Sequence, residues 1–146
     1  MKNIFSLLII FRLILSGDGL FAQSKVQAVI SNLESDKGVC RVCIFNNASS
    51  FNGDSGNPLQ CVAAPVGSRQ ARVEFNNLQP GRYAIFVFHD ANNNNRMDKN
   101  FVGVPKEGYG ASKNKLPFAA APGFNSNAFT IAAGTTTTVN IRLRNL

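Results

Sequence analysis

The sequence has few of the residues on which catalysis and nucleic-acid binding usually depend. It contains one histidine and eight acidic residues, against 15 lysines and arginines, for a formal charge of +7. The cations are scattered, so they form no basic patch of the kind that binds nucleic acid. We therefore expect no nucleic-acid partner. The excess of positive charge suits an anionic polysaccharide or lipid headgroups, or simply a soluble surface.

No apolar run is long enough for a stable membrane span, which takes about 20 residues. The run nearest the N-terminus is interrupted by Arg12, and small residues follow it up to Ala22. A charged start, a short apolar run and a small-residue boundary are the three parts of a secretory signal. We predict that residues 1–22 are cleaved and that residues 23–146 form one exported domain, in the periplasm or outside the cell.

Only three cysteines are present, and all of them lie in the predicted mature chain. Cys40 and Cys43 sit in an alternating run that places them on opposite faces of a strand, which a disulfide cannot easily span. A zinc site would need a second pair of ligands. In an exported chain we expect one disulfide. Cys43 with Cys61 is favoured, because Cys40 shares its face with apolar residues, and Cys40 with Cys61 is the alternative.

No long stretch shows the spacing of an amphipathic helix, and alternation of period two dominates. This pattern predicts an all-β fold, an antiparallel β-sandwich of about seven strands, immunoglobulin-like in general form. Pro65 places its strand at an edge, and the strand that ends at His89 is apolar on both faces and should be central. The last two strands should form a C-terminal hairpin. The predicted strands lie in residues 25–33, 39–45, 61–66, 71–75, 82–89 after a turn at Pro80–Gly81, 127–132 and 137–145.

Residues 90–127 contain no convincing strand and form the exceptional feature of the chain. Loops beyond about 15 residues are uncommon in compact domains and are usually functional or disordered. Apolar side chains spaced through this one favour an ordered loop that packs against the sandwich. They are Phe101, Val102, Val104, Tyr109, Leu116, Phe118 and Phe124.

The start of this loop resembles the first part of a calcium-binding loop, in which oxygen ligands occupy alternate positions. The candidate ligands are Asp90, Asn92, Asn94 and Asp98 by their side chains and Arg96 by its carbonyl. Asn95 stands where the pattern has glycine, and Phe101 where it has the closing glutamate. Glu107 is the nearest glutamate and a further candidate. Two carboxylates predict weak Ca²⁺ binding, in the millimolar range. An asparagine-rich turn capped by Asp90 is the alternative, and the pattern leaves both open.

The only histidine, His89, directly precedes this loop. Strand alternation points it away from Asp90 and towards the apolar face, so we expect a buried, hydrogen-bonded histidine with a structural role. The alternative is a small hydrolase that uses His89 with a nearby carboxylate of Asp90, Asp98 or Glu107. The sequence disfavours it, because it has no nucleophile elbow.

The run "LQPGRYAIFVFHDANNNNRMDKNFVGVPKEGYGASKN" resembles the signature of bacterial exported proteins known as domain of unknown function 2141. The signature reads "PG-x-YA", then "HD-x-N-x-NG-x-x-D-x-N-x-x-G-x-P-x-EGYGFSNN". Asn95, Ala111 and Lys113 depart from it. The resemblance implies an exported, prealbumin-like sandwich and brings no established activity. Beyond the candidate ligands, the matching residues of the loop are His89, Asn100, Gly103, Pro105, Glu107, Gly108, Tyr109 and Gly110.

We therefore expect a non-enzymatic, exported β-sandwich that serves as a binding or structural module. Calcium is the only cofactor for which the sequence offers ligands. The expected partner is an envelope polysaccharide or protein.

Overall fold

The chain folds into two β-sheets with a shared apolar core. A computed structural model describes residues 23–53, 57–118 and 120–146, so the predicted secretory signal, residues 1–22, lies outside the described residues. The elements are β1 (Ser24–Ser31), β2 (Val39–Phe45), α1 (Ala48–Phe51), β3 (Gln60–Pro65), β4 (Gln70–Leu78), β5 (Gly81–Asp90), β6 (Tyr109–Ala111), α2 (Phe124–Asn127), β7 (Phe129–Ile131) and β8 (Thr136–Arg142). Within these ranges no helix has the length and apolar character needed to span a membrane.

The smaller sheet has the order β4-β1-β8 and the larger one the order β3-β2-β5-β6, with β7 also paired to β5. All pairs are antiparallel except β1 with β8, which is parallel. The predicted all-β, mainly antiparallel fold is confirmed. Strand β3 lies at an edge and β5 is central, as Pro65 and the apolar faces of β5 predicted.

The core follows from the alternation of the strands. In β1 every second residue, Val26, Ala28 and Ile30, is buried, and in β2 the buried set begins at Cys40. Side chains at alternate positions share one face of a sheet, so each strand contributes one apolar row to the space between the sheets. Phe75 of β4 is the largest side chain that this space encloses completely.

The predicted C-terminal hairpin is wrong. Strand β7 pairs with β5 in the larger sheet, and β8 runs parallel to β1 in the smaller one. The short turn between β7 and β8 therefore passes from one sheet to the other. Alternation identifies a strand from its own residues, whereas its partner depends on contacts far along the chain.

The stretch 90–127 is not a single strandless loop, because it contains β6 and α2. The expected packing of its apolar residues also holds only in part. Tyr109 and Phe124 are buried, but Phe101, Val102, Val104 and Phe118 are exposed. Strand β6 escaped prediction because it has three residues with a glycine at its centre, and glycine is depleted in strands.

Strand β6 brings the two sheets together at one edge. The backbones of Tyr109 and Arg144 exchange hydrogen bonds of 3.1 and 2.8 Å. Gly110 faces Ile141 of β8 so closely that a Cβ atom on it would lie 2.7 Å from Ile141 Cγ2 and 3.1 Å from Leu143 Cδ2. The absence of a side chain at Gly110 is therefore what allows this approach.

The cysteines pair as the orientation of the side chains along β2 predicted. Cys43 lies directly opposite Cys61 on β3, with Cα atoms 4.1 Å apart, and the two form a disulfide. Cys40 is a buried free thiol. Burial raises the pKa of Cys40 to about 12, so its reactive thiolate is scarce at neutral pH.

Replacement of Gly110 by alanine should lower the free energy of unfolding by about 1–3 kcal/mol, because the new methyl group overpacks the contact with β8. Urea denaturation measures the change. Gly67→Ala is the matched control, since a Cβ there meets nothing within 4 Å. Equal stability of the two variants would contradict the close approach of β6 to β8.

Without reductant, the native chain should not react with a thiol reagent, and the unfolded chain should expose only the Cys40 thiol. The reason is that burial and a raised pKa protect Cys40 in the fold. Thiol titration with and without denaturant, followed by peptide mapping, measures this. A disulfide between Cys40 and Cys43, or a Cys40 that reacts in the native state, would show that the side chains of β2 do not face the core as described.

Candidate functional site

The candidate site is the loop from Asp90 to Glu107, which begins where the central strand β5 ends. Asp90 is the last residue of β5 and is completely buried. The turn before β2 packs against its backbone. A Cβ atom on Gly38 would lie 2.0 Å from the carbonyl oxygen of Asp90, and Gly38 has a φ of +68°. Only glycine fits both requirements, so the first peptide of the loop is held against the turn.

The carboxylate of Asp90 organises the first turn of the loop. Its Oδ1 accepts a hydrogen bond from the backbone N–H of Asn94, and its Oδ2 from that of Asn95, both at 3.0 Å. Asn95 adopts a φ of +66°, as expected for a position that the calcium-loop pattern gives to glycine. The backbone therefore wraps around the carboxylate of Asp90.

A third donor, Arg41 of β2, completes the environment of this carboxylate. Its Nε lies 2.5 Å from Asp90 Oδ2, and the same guanidinium donates to the side-chain oxygen of Asn95. Burial by itself would raise the pKa of Asp90. The hydrogen bond and charge of Arg41, with the amides of Asn95 and Asn94, outweigh burial and lower that pKa. Asp90 is therefore ionised at neutral pH and forms an ion pair across β2 and β5.

The second carboxylate of the pattern, Asp98, lies within the same hydrogen-bond network. Its Oδ2 accepts from the side-chain amide of Asn92 at 2.7 Å, and its Oδ1 from that of Asn94 at 2.9 Å. The side-chain oxygen of Asn94 accepts from the N–H of Arg96 at 2.9 Å. Hydrogen bonds thus join the side chains of Asn92, Asn94 and Asp98 to one another. The carboxylate of Asp90 reaches this group through the backbone N–H of Asn94. Arg96 joins them through its backbone.

Glu107 closes the loop at its other end. Its Oε1 accepts from the N–H of Ala91 at 3.1 Å, and its Oε2 from the N–H of Asp98 at 3.0 Å. Glu107 therefore fastens the beginning and the middle of the loop to the segment just before β6. In this arrangement it holds the backbone, whereas the sequence pattern offered it as a ligand.

The donor chemistry suits calcium, since the loop collects carboxylate, amide and carbonyl oxygens. Two features oppose tight binding. The guanidinium of Arg41 occupies Asp90, and the amide nitrogens of Asn92 and Asn94 face Asp98, so both amides must rotate before their oxygens point inward. Across the described ranges, no group of three or more His, Cys, Asp or Glu side chains could hold a metal ion. An ion here would depend on neutral oxygens.

His89 has the buried, hydrogen-bonded environment that its place in β5 predicted. Its side chain is 2% exposed, and its Nε2 lies 2.8 Å from the carbonyl oxygen of Lys37. Its backbone N–H donates to the carbonyl of Gly108 at 2.8 Å. In the part of the chain that is described, His89 makes no hydrogen bond to a carboxylate.

The outer part of the loop forms a tight turn that we call the tip, residues 99–106. The side-chain oxygen of Asn100 accepts from the N–H groups of Val102 and Val104, both at 3.0 Å. The backbone N–H of Asn100 donates to the carbonyl of Val104 at 2.8 Å. Lys99 pairs with Pro105 at the base of the turn, and Gly103 takes a φ of +85° within it. The tip is therefore held in shape by its own hydrogen bonds.

Arg41 is a residue of the candidate site that sequence reasoning missed. It stands in β2 at a position that alternation turns away from the core, where an arginine reads as an ordinary exposed cation. Arg41 is paired with Phe88 in the register of β2 and β5, two residues before Asp90. The sequence contains no signal for that register, which only the fold establishes.

Replacement of Asp90 by asparagine should lower the free energy of unfolding by about 2–3 kcal/mol near neutral pH, because it leaves a charge-assisted network without its anion. The folded-state pKa of Asp90 is lowered, so its stabilisation exists above the unfolded value of about 3.9 and is lost as pH falls through the folded value. The difference in the free energy of unfolding between wild type and Asp90→Asn should therefore become smaller in acid. Urea denaturation with a chelator at several pH values measures it.

Glu74→Gln is the matched control for this variant. Glu74 forms the other ion pair within the described residues, with Lys25 at 3.1 Å, but both side chains are substantially exposed. Exposed pairs contribute little, so this variant should leave the urea midpoint almost unchanged near neutral pH. A destabilisation of Asp90→Asn that does not depend on pH would count against the ion pair.

No curated protein was found to match the chain. One family model, described as an uncharacterized protein conserved in bacteria (DUF2141), matches residues 28–140. This range takes in the second half of β1, strands β2 to β7, most of β8 and the whole loop from Asp90 to Glu107. The chain belongs to the DUF2141 family of bacterial proteins.

Proposed function

We propose that the chain is a non-enzymatic, exported β-sandwich module whose loop from Asp90 to Glu107 binds a component of the bacterial envelope and takes up Ca²⁺ weakly. The calcium proposal is supported by the path of the backbone, which curls around the carboxylate of Asp90 and places Asn95 in the left-handed conformation. Export is supported by the N-terminal sequence and is compatible with the Cys43–Cys61 disulfide.

The residues that would hold the ion are those of the sequence pattern. Asp90 and Asp98 supply negative charge, Asn92 and Asn94 neutral oxygens, and the carbonyl of Arg96 a further ligand. Glu107 lies at the same loop and can contribute if it releases a backbone amide. Arg41 competes with the ion for Asp90, because a guanidinium and a cation repel each other at one carboxylate. This competition supports affinity in the millimolar range.

The burial of His89 supports a non-enzymatic role. A general base must come within hydrogen-bond reach of the proton that it removes from a substrate. His89 is enclosed, and its Nε2 faces the carbonyl of Lys37. The hydrolase alternative would require the turn before β2 to open, so the geometry favours the binding module.

Calcium should raise the thermal unfolding midpoint of the wild-type chain. A tenfold excess over the dissociation constant stabilises the fold by about 1.4 kcal/mol. For a domain of this size that corresponds to roughly 5 °C. Differential scanning calorimetry in millimolar calcium against chelator measures it, and magnesium is the control ion. The shift should disappear in Asp98→Asn and persist in Asp36→Asn, since Asp36 bonds the backbone of Ser68 and Arg69 away from this loop.

Arg41→Gln gives the sharper test of the same site. The variant should be less stable in chelator, because Asp90 loses its partner. It should nevertheless bind calcium at least about tenfold more tightly, because the competing positive charge is gone. Titration calorimetry with calcium alone compares the two chains. If calcium moves neither the wild-type midpoint nor that of Arg41→Gln, the loop is an asparagine-rich turn without a metal.

A further inference from the structure

We propose that the tip, residues 99–106, docks on the surface of an anionic lipid bilayer, with Phe101 inserted at the boundary between headgroups and acyl chains. The proposal rests on the binding role proposed for this loop and does not require calcium. It follows from the concentration of exposed apolar groups at one turn, from the rigidity of that turn, and from the charges that flank it.

Exposed apolar side chains are concentrated at the tip. Six large hydrophobic residues are exposed within the described ranges, and three of them are Phe101, Val102 and Val104. Phe101 is 99% exposed. Single exposed apolar residues are ordinary on a protein surface, whereas a contiguous group marks a contact with another molecule or a membrane.

Hydrogen bonds within the tip fix the turn that exposes these apolar side chains. Asn100 accepts two backbone hydrogen bonds through its side chain and makes a third through its own N–H, so the turn that carries Phe101 is closed on both sides. The backbone carbonyl oxygen of Asp98 also accepts a hydrogen bond from the N–H of Lys106, at 2.8 Å. Because the turn is held away from the core in this way, Phe101 can be buried by a second surface without refolding of the loop.

The flanking charges select an anionic partner. Lys99 precedes Phe101 by two residues, and Lys106 follows Val104 by two residues, and both lysines are exposed. In the described part of the chain neither lysine forms a salt bridge. Two residues of chain span at most roughly 7 Å, so Lys99 lies within that distance of Phe101 along the chain. An interfacial apolar group enters the boundary region by about 5–10 Å, so the lysines would lie at the depth of the headgroups.

The nearby acidic residues do not cancel this arrangement. Asp98 and Glu107 lie one residue further from Phe101 along the chain than the lysines do, and both carboxylates accept two hydrogen bonds within the loop. The order from the tip inward is therefore apolar, then cationic, then anionic. That order matches a lipid surface, where the acyl boundary is followed outward by phosphate groups.

Single-tryptophan variants provide the test, because the chain contains no tryptophan. Residues 23–146 are used, since they contain every described strand and the whole described core. Phe101→Trp is mixed with vesicles of phosphatidylglycerol and phosphatidylcholine in chelator at low ionic strength. Its emission should shift to the blue and resist a soluble quencher. Phe118→Trp is the matched control, because Phe118 is 97% exposed on a different segment.

Vesicle sedimentation measures the affinity with variants that keep the fold, as verified by their urea midpoints. Phe101→Ser should weaken binding at least about tenfold, since it loses the transfer of one aromatic side chain. The double variant Lys99→Gln with Lys106→Gln should weaken it by roughly 30-fold at low ionic strength and remove most of the salt dependence. Phe118→Ser should bind as the wild type does.

Three outcomes would overturn the proposal. They are wild-type binding to anionic vesicles no stronger than to pure phosphatidylcholine, equal losses in Phe101→Ser and Phe118→Ser, and an unshifted emission of Phe101→Trp on vesicles that sediment the protein. The calcium experiments have a separate readout in solution. A chain that responds to calcium and ignores vesicles would therefore refute the lipid surface and leave the calcium site standing.

Discussion

The buried carboxylate of Asp90 is the constraint on which the rest of the loop depends. Removing an ionised carboxylate from water costs several kcal/mol unless it is paired and hydrogen-bonded. Here Arg41 and the amides of Asn94 and Asn95 meet that cost together. They also determine the path of the chain, because the backbone must curl around Asp90 to deliver two amides. The ion pair ties this curl to β2 as well as β5, so the base of the loop is part of the sheet.

A loop organised in this way does not need an apolar core of its own. Polar side chains satisfy its backbone at three places, through Asp90 at the base, Glu107 across the loop and Asn100 at the tip. Ordering a residue costs about 1–2 kcal/mol of conformational entropy, which most chains offset by burying apolar groups. Here hydrogen bonds to fixed side chains offset part of this entropy. Phe101 and Val102 can therefore face outward.

The features that the sequence predicted correctly are those that depend only on the residues of a single strand. The alternation of β2 placed Cys40 in the core and Cys43 outward, and the two apolar faces of β5 identified a central strand. Two of the errors concern partners that lie far apart along the chain. Nothing near β8 indicates that it runs parallel to β1, and nothing near Arg41 indicates that Asp90 lies beside it. The apolar composition of the tip predicted burial, but hydrogen bonding by Asn100 turned it outward.

The charges of the loop connect the two proposed ligands. An ion at Asp90 would displace Arg41, so the end of the sandwich that carries Lys99 and Lys106 would gain the charge of the ion and keep that of the guanidinium. Positive charge added within a Debye length of about 8–10 Å strengthens attraction to an anionic surface. Calcium should therefore increase the affinity for anionic lipid. Since coupling between two binding equilibria is reciprocal, the same lipid must increase the affinity for calcium by the same factor. A weak site in solution would then become a stronger one at a membrane, where Asp90 and Phe101 act from opposite ends of a single loop.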